Sequence, residues 1–291
     1  MTRCSFWAAC SLSIFWTVLC SGCGGVPQHS QMAVAVELPS SAPQASYHHY
    51  LVLTHHRQAM QSPSDIEDMW AAARGDQPQF EFIRPFIQRA LLPSDYTIDI
   101  ELDFATLPHP LIPDGLLPRV LKSMPADVRR RADTAPMAVS VQSNTPVIRD
   151  GVHVRLVGAV VLRIAEKYNG VIIDLMTDRA FTPSQWRTLI SAQHIQRSQL
   201  RFGKRVVSDR TVQLFSRGTP KFGVPDLMVT HIPDGQLKAG SDFFRAVHQA
   251  LLRGQRVKND TFTWGAQMWP VQPCPGRVQQ CITISYDAQR R

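Results

Sequence analysis

The sequence predicts an α+β fold in which mixed sheets pack against helices, built as one body or as two similar lobes. Segment 96–104 alternates apolar and polar residues with the period of two that is typical of a half-buried strand. Segment 152–168 is a long, very apolar run followed by Asn169-Gly170, a pattern typical of a buried helix and its left-handed stop. Strand and helix patterns are interspersed without a regular βα alternation, which favours α+β over a parallel α/β fold.

The folded body is predicted to begin at Tyr47, with a strand over 47–54. A helix is predicted to begin near Ser62 and to end at Gly75, because capping residues, an early proline and a terminal glycine agree with one another. After strand 96–104, a proline-rich connection leads to short helices. We predict these helices at 116–123 and 126–132.

The second half of the sequence also shows strand and helix patterns in irregular succession. Strands are predicted at 137–141 and 171–175, on either side of helix 152–168, and Thr182 and Gln185 resemble a capping box that opens the next helix. The remaining elements are predicted as strands 205–215 and 227–232, a helix capped by Ser241 and ended by Gly254, and a closing hairpin of 262–268 with 278–286. The body is divided accordingly into an N-terminal lobe, 47–145, and a C-terminal lobe, 146–291.

The composition supports a globular body with a sizeable core. The chain has 291 residues, of which 44% are hydrophobic and 19% are charged. These values exclude a globally disordered, collagenous or coiled-coil chain. Lys and Arg number 31 against 23 Asp and Glu, so the formal net charge is +8.

Residues 1–22 have the pattern of a secretory signal peptide. Arg3 precedes an uncharged, largely apolar stretch from Cys4 to Leu19, and small residues follow. The stretch is shorter than the roughly 20 apolar residues that span a bilayer comfortably. A cleaved signal peptide is therefore favoured over a transmembrane anchor.

The end of this segment, Leu19-Cys20-Ser21-Gly22-Cys23, resembles the lipobox of bacterial lipoproteins. The resemblance implies that Cys23 becomes the first residue of the mature chain and carries acyl chains of the palmitate type. Because Gly24 and Gly25 stand where an Asp would favour inner-membrane retention, it also implies sorting to the outer membrane, facing the periplasm. Residues 23–46, rich in Gly, Pro, Ser, Gln and Ala, are predicted to form a flexible tether.

The six cysteines then fall into three groups. Cys4, Cys10 and Cys20 lie in the signal peptide, and Cys23 carries the lipid. The remaining pair, Cys274 and Cys281, is predicted to form a disulfide in an oxidising compartment, since a short loop with a Pro-Gly turn separates the two residues.

Two clusters could support chemistry. Four histidines (His48, His49, His55 and His56) lie within nine residues, but a strand sends neighbours to opposite faces, so we interpret them as structural or surface residues and predict no metal site. Asp99, Glu101 and Asp103 occupy one face of strand 96–104. This spacing suits acid and base catalysis or a hard cation, and it equally suits a solvated sheet face, which we favour.

Sequence patterns of catalytic nucleophiles and phosphate loops do not support an enzyme. No G-x-S-x-G, S-x-x-K with K-T-G, or H-E-x-x-H motif occurs in the sequence. Segment 216–223 has the wrong glycine spacing for a P-loop and is interpreted as a solvent loop. Trp264 and Trp269 could line a groove, although tryptophans on strands more often pack into the core.

These observations predict a non-catalytic periplasmic binding or structural module, anchored to the membrane by its lipid and without a cofactor. Basic clusters at 129–131, 201–205 and 290–291 favour an envelope protein or an anionic envelope surface as partner, and no nucleic-acid recognition motif accompanies them. The alternative hypothesis is an envelope hydrolase or metal-dependent enzyme that uses Asp99, Glu101 and Asp103 with a histidine.

Overall fold

A computed structural model describes most of the folded body and confirms the α+β fold. The described residues are 45–56, 81–90, 98–107, 115–148, 151–208, 210–255, 257, 261–264, 267–274 and 281–286, and all of them belong to the compact unit Pro39–Arg291. The predicted signal peptide 1–22, Cys23, nearly all of the tether and the helix predicted between Ser62 and Gly75 lie outside the described residues.

The first sheet is antiparallel and places the earliest described strand at its centre. Its strands run in the spatial order β2-β3-β1-β4-β5. Their bounds are Ala45–Thr54 for β1, Ile100–Thr106 for β2, Met137–Pro146 for β3, Val171–Asp174 for β4 and Arg179–Phe181 for β5. Strand β1 begins two residues before the predicted start, because Ser46 is buried and its hydroxyl donates to the Thr145 carbonyl at 2.8 Å.

Helices cover both faces of this sheet. On one face lies α4 (Val152–Lys167), packed with α5 (Pro183–Ser191) over Tyr50 and Val52. On the other face α2 (Leu116–Leu121) and α3 (Ala126–Asp133) pack over Leu51 and Leu53. Alternate β1 residues therefore belong to different cores, as the period of a strand requires. Two more α-helices precede the second sheet in the described chain, α1 (Arg84–Ala90) and α6 (Ile195–Gln199).

The predicted local signals around α4 and α5 are confirmed. The Thr182 hydroxyl accepts from the Gln185 amide at 3.2 Å, and the Gln185 side chain accepts from the Thr182 amide at 2.9 Å, which completes the capping box. Asn169 adopts a left-handed φ of 46° after α4. Gly158 lets the two helices pack closely, since a Cβ there would lie 2.8 Å from Ile190 Cγ2.

The second sheet has the spatial order β6-β7-β8-β11-β10-β9 and packs against α7 (Leu237–Leu252). Strands β8 and β11 are parallel, and the other pairs are antiparallel. The strands are β6 (Arg201–Ser208), β7 (Thr211–Arg217), β8 (Asp226–Pro233), β9 (Thr261–Trp264), β10 (Gln267–Pro273) and β11 (Cys281–Ser285).

Three predictions about this half are wrong. Segment 205–215 is not one strand, because polar residues turn the chain between β6 and β7, where the Arg210 amide donates to the Ser208 hydroxyl at 3.4 Å. Ser241 is not a cap and lies inside α7, which begins four residues earlier. In the described parts of 262–268 and 278–286, the two segments do not pair with each other. Instead β10 pairs with both β9 and β11.

The predicted cysteine pair lies where β10 and β11 meet. Cys274 and Cys281 are at disulfide distance, with their Cα atoms 5.3 Å apart. The Cys274 amide also donates to the Cys281 carbonyl at 3.1 Å. The pair therefore joins two neighbouring strands of the second sheet.

The division into lobes at residues 145 and 146 stays a prediction. Strand β4 pairs with β1, and β5 pairs with β4, so strands from both sides of that boundary form the first sheet.

Across the described ranges, no helix combines the length and the apolar character needed to cross a bilayer.

Candidate functional site

A buried carboxylate organises the turn that follows β4. Asp174 is 1% exposed. Its side chain accepts from the Met176 amide at 3.0 Å and from the Thr177 hydroxyl at 2.7 Å. These bonds fold residues 175–178 into a tight turn in which Asp178 adopts a left-handed φ of 51°. The turn leads directly into β5, so Asp174 fixes where β5 begins.

Lys221 is the buried counter-ion of Asp174. It lies in the 3-10 turn Thr219–Phe222 between β7 and β8, is 0% exposed, and donates from Nζ to Asp174 Oδ2 at 2.5 Å and to Gln199 Oε1 at 2.7 Å. Burial lowers the pKa of Lys221, and the charge of Asp174 opposes that shift. The pair therefore ties a loop of the second sheet to the end of a strand of the first.

The prediction that 216–223 forms a solvent loop is wrong. Residues 219–222 are buried, and the turn is anchored by Asp226, whose Oδ1 accepts from the Thr219 amide at 3.1 Å and from its hydroxyl at 2.5 Å. Gly218 has a φ of 90°, and a Cβ there would lie 2.7 Å from the Gln199 carbonyl oxygen. The glycine thus permits a close backbone approach within the protein.

The clustered histidines separate as predicted. His48 is fully buried and bonds to Ser46 and Tyr50, whereas His49 faces the other core and bonds to Ser140. His55 and His56 are exposed. Within the described part of the chain, no group of three or more His, Cys, Asp or Glu side chains is arranged to hold a metal ion.

A fifth histidine, His153, lies beside this buried network. Its Nδ1 accepts from the Ile148 amide at 3.0 Å, and its Nε2 donates to the Lys221 carbonyl at 2.8 Å. These partners assign the neutral tautomer with the proton on Nε2. Burial lowers the pKa of His153 to about 4. Burial also lowers the pKa of His48 well below its usual value, with smaller contributions from His153 and Lys221.

Two of the three acidic residues, Glu101 and Asp103, lie on the edge strand β2, and Asp99 lies directly before it. Asp99, Glu101 and Asp103 are all exposed, while Ile100 and Leu102 pack partly against the core. Strand β2 forms one end of the first sheet. The predicted alternation is thus confirmed over 98–103, whereas Phe104, expected on the buried face, is 38% exposed. Residues 96 and 97 of the predicted strand lie outside the described residues, and β2 extends to Thr106.

A cleft of about 770 Å³ on the described surface is lined by several basic side chains. It lies beside the turn after β4, and α2, β5, α5 and the first residue of β6 contribute to its walls. We call it the basic cleft, because its charged lining residues are Arg119, Lys122, Arg179, Arg201 and the single acid Asp178.

Contacts hold two of these cations in place. The Arg179 guanidinium lies over the Phe181 ring, 4.7 Å from its centroid, and donates to the Ser198 carbonyl at 3.2 Å. Arg201 donates to the carbonyls of Thr177 and Asp178 at 3.3 and 3.2 Å. Burial lowers the pKa of Arg179, the charge of Asp174 opposes this, and Arg201 adds to the lowering. An arginine remains protonated under such conditions.

The one acid of the basic cleft is already paired. Asp178 Oδ2 lies 3.3 Å from Arg119 and 2.5 Å from Arg217, which approaches from β7. Its charge is thus offset within the protein, and the basic cleft keeps an excess of positive charge facing solvent. Such an arrangement attracts an anion.

Sequence reasoning found the basic cluster that contains Arg201 but missed the basic cleft and the Asp174–Lys221 pair. The only local pattern that pointed to this region was the proximity of Asp174, Asp178 and Arg179 along the chain. Trp269 is 6% exposed and its ring lies 4.6 Å from that of Phe243, tilted by 46°, so it packs in the core. The side chain of Trp264 lies outside the described residues.

Comparison of the chain with family models, with curated proteins and with solved structures finds no match.

Proposed function

We propose that this protein is a lipid-anchored lipoprotein of the bacterial envelope whose folded body is a non-catalytic module that binds an anionic partner in the basic cleft. The observation that carries the proposal is the set of four cations around one concave surface whose single carboxylate is already paired. The net charge of +8 adds a general attraction for anionic partners.

The accessibility of the chemically reactive groups supports binding rather than catalysis. Lys221 and Asp174 are 0% and 1% exposed and satisfy each other. His48 and His153 are fully buried. A substrate has no access to these groups in this structure, whereas the cations of the basic cleft are open to solvent. Asp99, Glu101 and Asp103, which the enzyme hypothesis requires, are exposed on or directly before an edge strand.

The proposed location rests on the first 25 residues. The charged start, the apolar stretch and the lipobox-like end at Cys23 together predict export and lipid attachment. Gly24 and Gly25 favour the outer membrane within that class. Several acyl chains on one cysteine hold a protein firmly, because each buried methylene contributes about 0.8 kcal/mol.

Replacing Cys23 with serine is expected to abolish lipid attachment. The protein should then appear in the soluble periplasmic fraction or accumulate as an uncleaved precursor, which fractionation and intact mass will show. The matched control is Cys10→Ser, which changes a cysteine of the same predicted signal peptide and should leave attachment intact. Normal cleavage with unchanged membrane attachment of Cys23→Ser would refute lipidation at this residue.

Neutralising the open side of the basic cleft is expected to weaken anion binding. In the double variant Arg119→Gln/Lys122→Gln, calorimetric titration with pyrophosphate should show roughly tenfold or more weaker binding, since two charge-assisted contacts are lost. The control Arg129→Gln/Arg130→Gln removes the same charge from neighbouring helix α3 and should change binding by less than about twofold. Equal losses in both variants would indicate general attraction and contradict a site in the basic cleft.

A further inference from the structure

We infer that the basic cleft receives the C-terminal carboxylate of an extended segment of a partner protein, and that this segment pairs antiparallel with the open edge of β6. This inference rests on the proposed anion-binding function of the basic cleft. It adds the chemical class of the ligand and the surface along which the ligand lies.

Strand β6 is an edge strand, and on one face its Phe202 packs against α7, with ring centroids 5.9 Å from Phe244 and 5.0 Å from His248. Among the described strands it ends the second sheet and pairs only with β7. Its residues are exposed, apart from the half-buried Gly203. Three large apolar side chains are more than half exposed, namely Phe202 at 55%, Val206 at 64% and Val207 at 62%. An edge strand also presents unpaired backbone groups, so β6 offers both the hydrogen bonds and the apolar contacts of strand addition.

The charges on β6 select the partner. Arg201, Lys204 and Arg205 are basic, and residues 201–208 include no acid. Pairing of β6 with β6 of a second copy would bring like charges together across the interface, which is unfavourable. Along β6, Arg201 and Arg205 lie on one face, and Phe202 and Val206 lie on the other. A segment that alternates acidic and apolar residues is complementary to these two faces. The occupant is therefore an acidic, extended peptide segment rather than another copy of this chain.

Chain direction connects β6 with the basic cleft. Leu200 and Arg201, at the start of β6, line the basic cleft. In an antiparallel pair, the last residue of one strand lies beside the first residue of the other. A segment that pairs antiparallel with β6 thus ends at the basic cleft, where its carboxylate meets Arg119, Arg179 and Arg201.

The same geometry limits the length of the segment. The register between β6 and β7 is irregular between Val206 and Ser208, and such irregularities interrupt regular pairing. Regular pairing is available over Arg201–Val206, so the bound segment is about six residues long. The basic cleft is also lined by β5, the edge strand of the first sheet, so the carboxylate position lies between β5 and the start of β6.

The test uses the full chain, solubilised in detergent, and a fluorescent six-residue peptide that alternates glutamate with valine and ends in a free carboxylate. Fluorescence anisotropy should show saturable binding. Amidation of the C-terminus should weaken binding about tenfold or more, since it removes the charge that the arginines recognise. Equal affinity of the amidated and free peptides would overturn the role of the carboxylate.

Backbone methylation tests strand addition separately. Two analogues carry N-methyl groups on alternate residues, one set at odd positions and the other at even positions. In a paired strand only every second amide faces the neighbouring strand, so one analogue should lose binding about tenfold or more and the other should keep it. Equal binding by both analogues would overturn pairing with β6.

Charge reversal on β6 supplies a matched protein control. Lys204→Glu/Arg205→Glu should weaken peptide binding about tenfold or more, whereas Arg129→Glu/Arg130→Glu on α3 should weaken it much less. Equal weakening by the two variants would overturn the assignment of the peptide to β6. Since the peptide arms use the unaltered protein, misfolding of a variant leaves the inference testable.

The outcomes separate this inference from the proposed function. If pyrophosphate binds in the basic cleft while the peptide binds no better than acetate, the inference fails and anion binding stands. If neither pyrophosphate nor peptide binds, both fail. If vesicles of anionic phospholipid bind in a manner that needs Lys204 and Arg205 while the peptide does not bind, the partner is a membrane surface and the inference is overturned.

Discussion

Replacing Lys221 with methionine is expected to lower the free energy of unfolding by roughly 3–5 kcal/mol, because it leaves the Asp174 carboxylate buried without its counter-ion. Lys221 is 0% exposed, so water cannot take its place without opening the structure. The substitution also removes the donor to Gln199. Methionine keeps most of the aliphatic volume, which makes the lost charge the main cause.

Urea denaturation of Lys221→Met at neutral pH will measure this effect. The control Lys238→Met removes a lysine whose side chain is 96% exposed and should change stability by less than about 1 kcal/mol. The double variant Lys221→Met/Asp174→Asn should recover part of the loss, since it removes the unpaired charge as well. A single variant as stable as the wild type would refute the importance of the buried pair.

Acidification is expected to destabilise the folded body between pH 6.5 and about 4. In the unfolded chain a histidine has a pKa near 6.5, whereas in the folded protein burial lowers the pKa of both His153 and His248 to about 4. The unfolded state therefore binds more protons in this range, and the free energy of unfolding rises with pH. The contribution is fully present above pH 6.5 and is lost as pH falls, at most about 3 kcal/mol for each histidine.

Burial is the physical reason for the lowered pKa of His153, because a charged imidazole would lose its hydration there. A second proton would also have to sit on Nδ1, the atom that accepts from the Ile148 amide, so protonation would break that bond.

Urea denaturation at several pH values will test this prediction. His153→Gln should flatten the pH dependence of the free energy of unfolding, whatever its effect at pH 7. His55→Gln replaces an exposed histidine and should leave the slope unchanged. If His153→Gln keeps the wild-type slope, His153 is not a source of the pH dependence.

Features encoded by neighbouring residues could be predicted from the sequence. The capping box at Thr182 and the stop at Asn169 each depend on contacts within a few residues, and both are present. The alternation in β2 depends only on the period of a strand. The α+β class followed from such local patterns.

The candidate site could not be predicted in the same way, because its parts come from distant segments. The sequence predicted a solvent-exposed Lys221, because it lies in a run of glycine, proline and basic residues. Its partner Asp174 is 47 residues away in the chain, and only folding brings the two together. Arg119 and Arg201 likewise meet Asp178 and its turn across long separations. The shape of the basic cleft depends on these contacts, which no local pattern encodes.

The position of β11 has a consequence for the timing of folding during synthesis. Residues 281–285 lie between β8 and β10, so the ribosome releases the strand that joins these two parts of the sheet only after it has made both of them. In the first sheet, β1 must likewise wait for β3 and β4. The first sheet is complete once β5 has been made, whereas the second sheet must wait for β11 and so folds later, since non-local pairing is slow. Under the export that we propose, this delay suits passage through a translocation channel that admits only unfolded polypeptide.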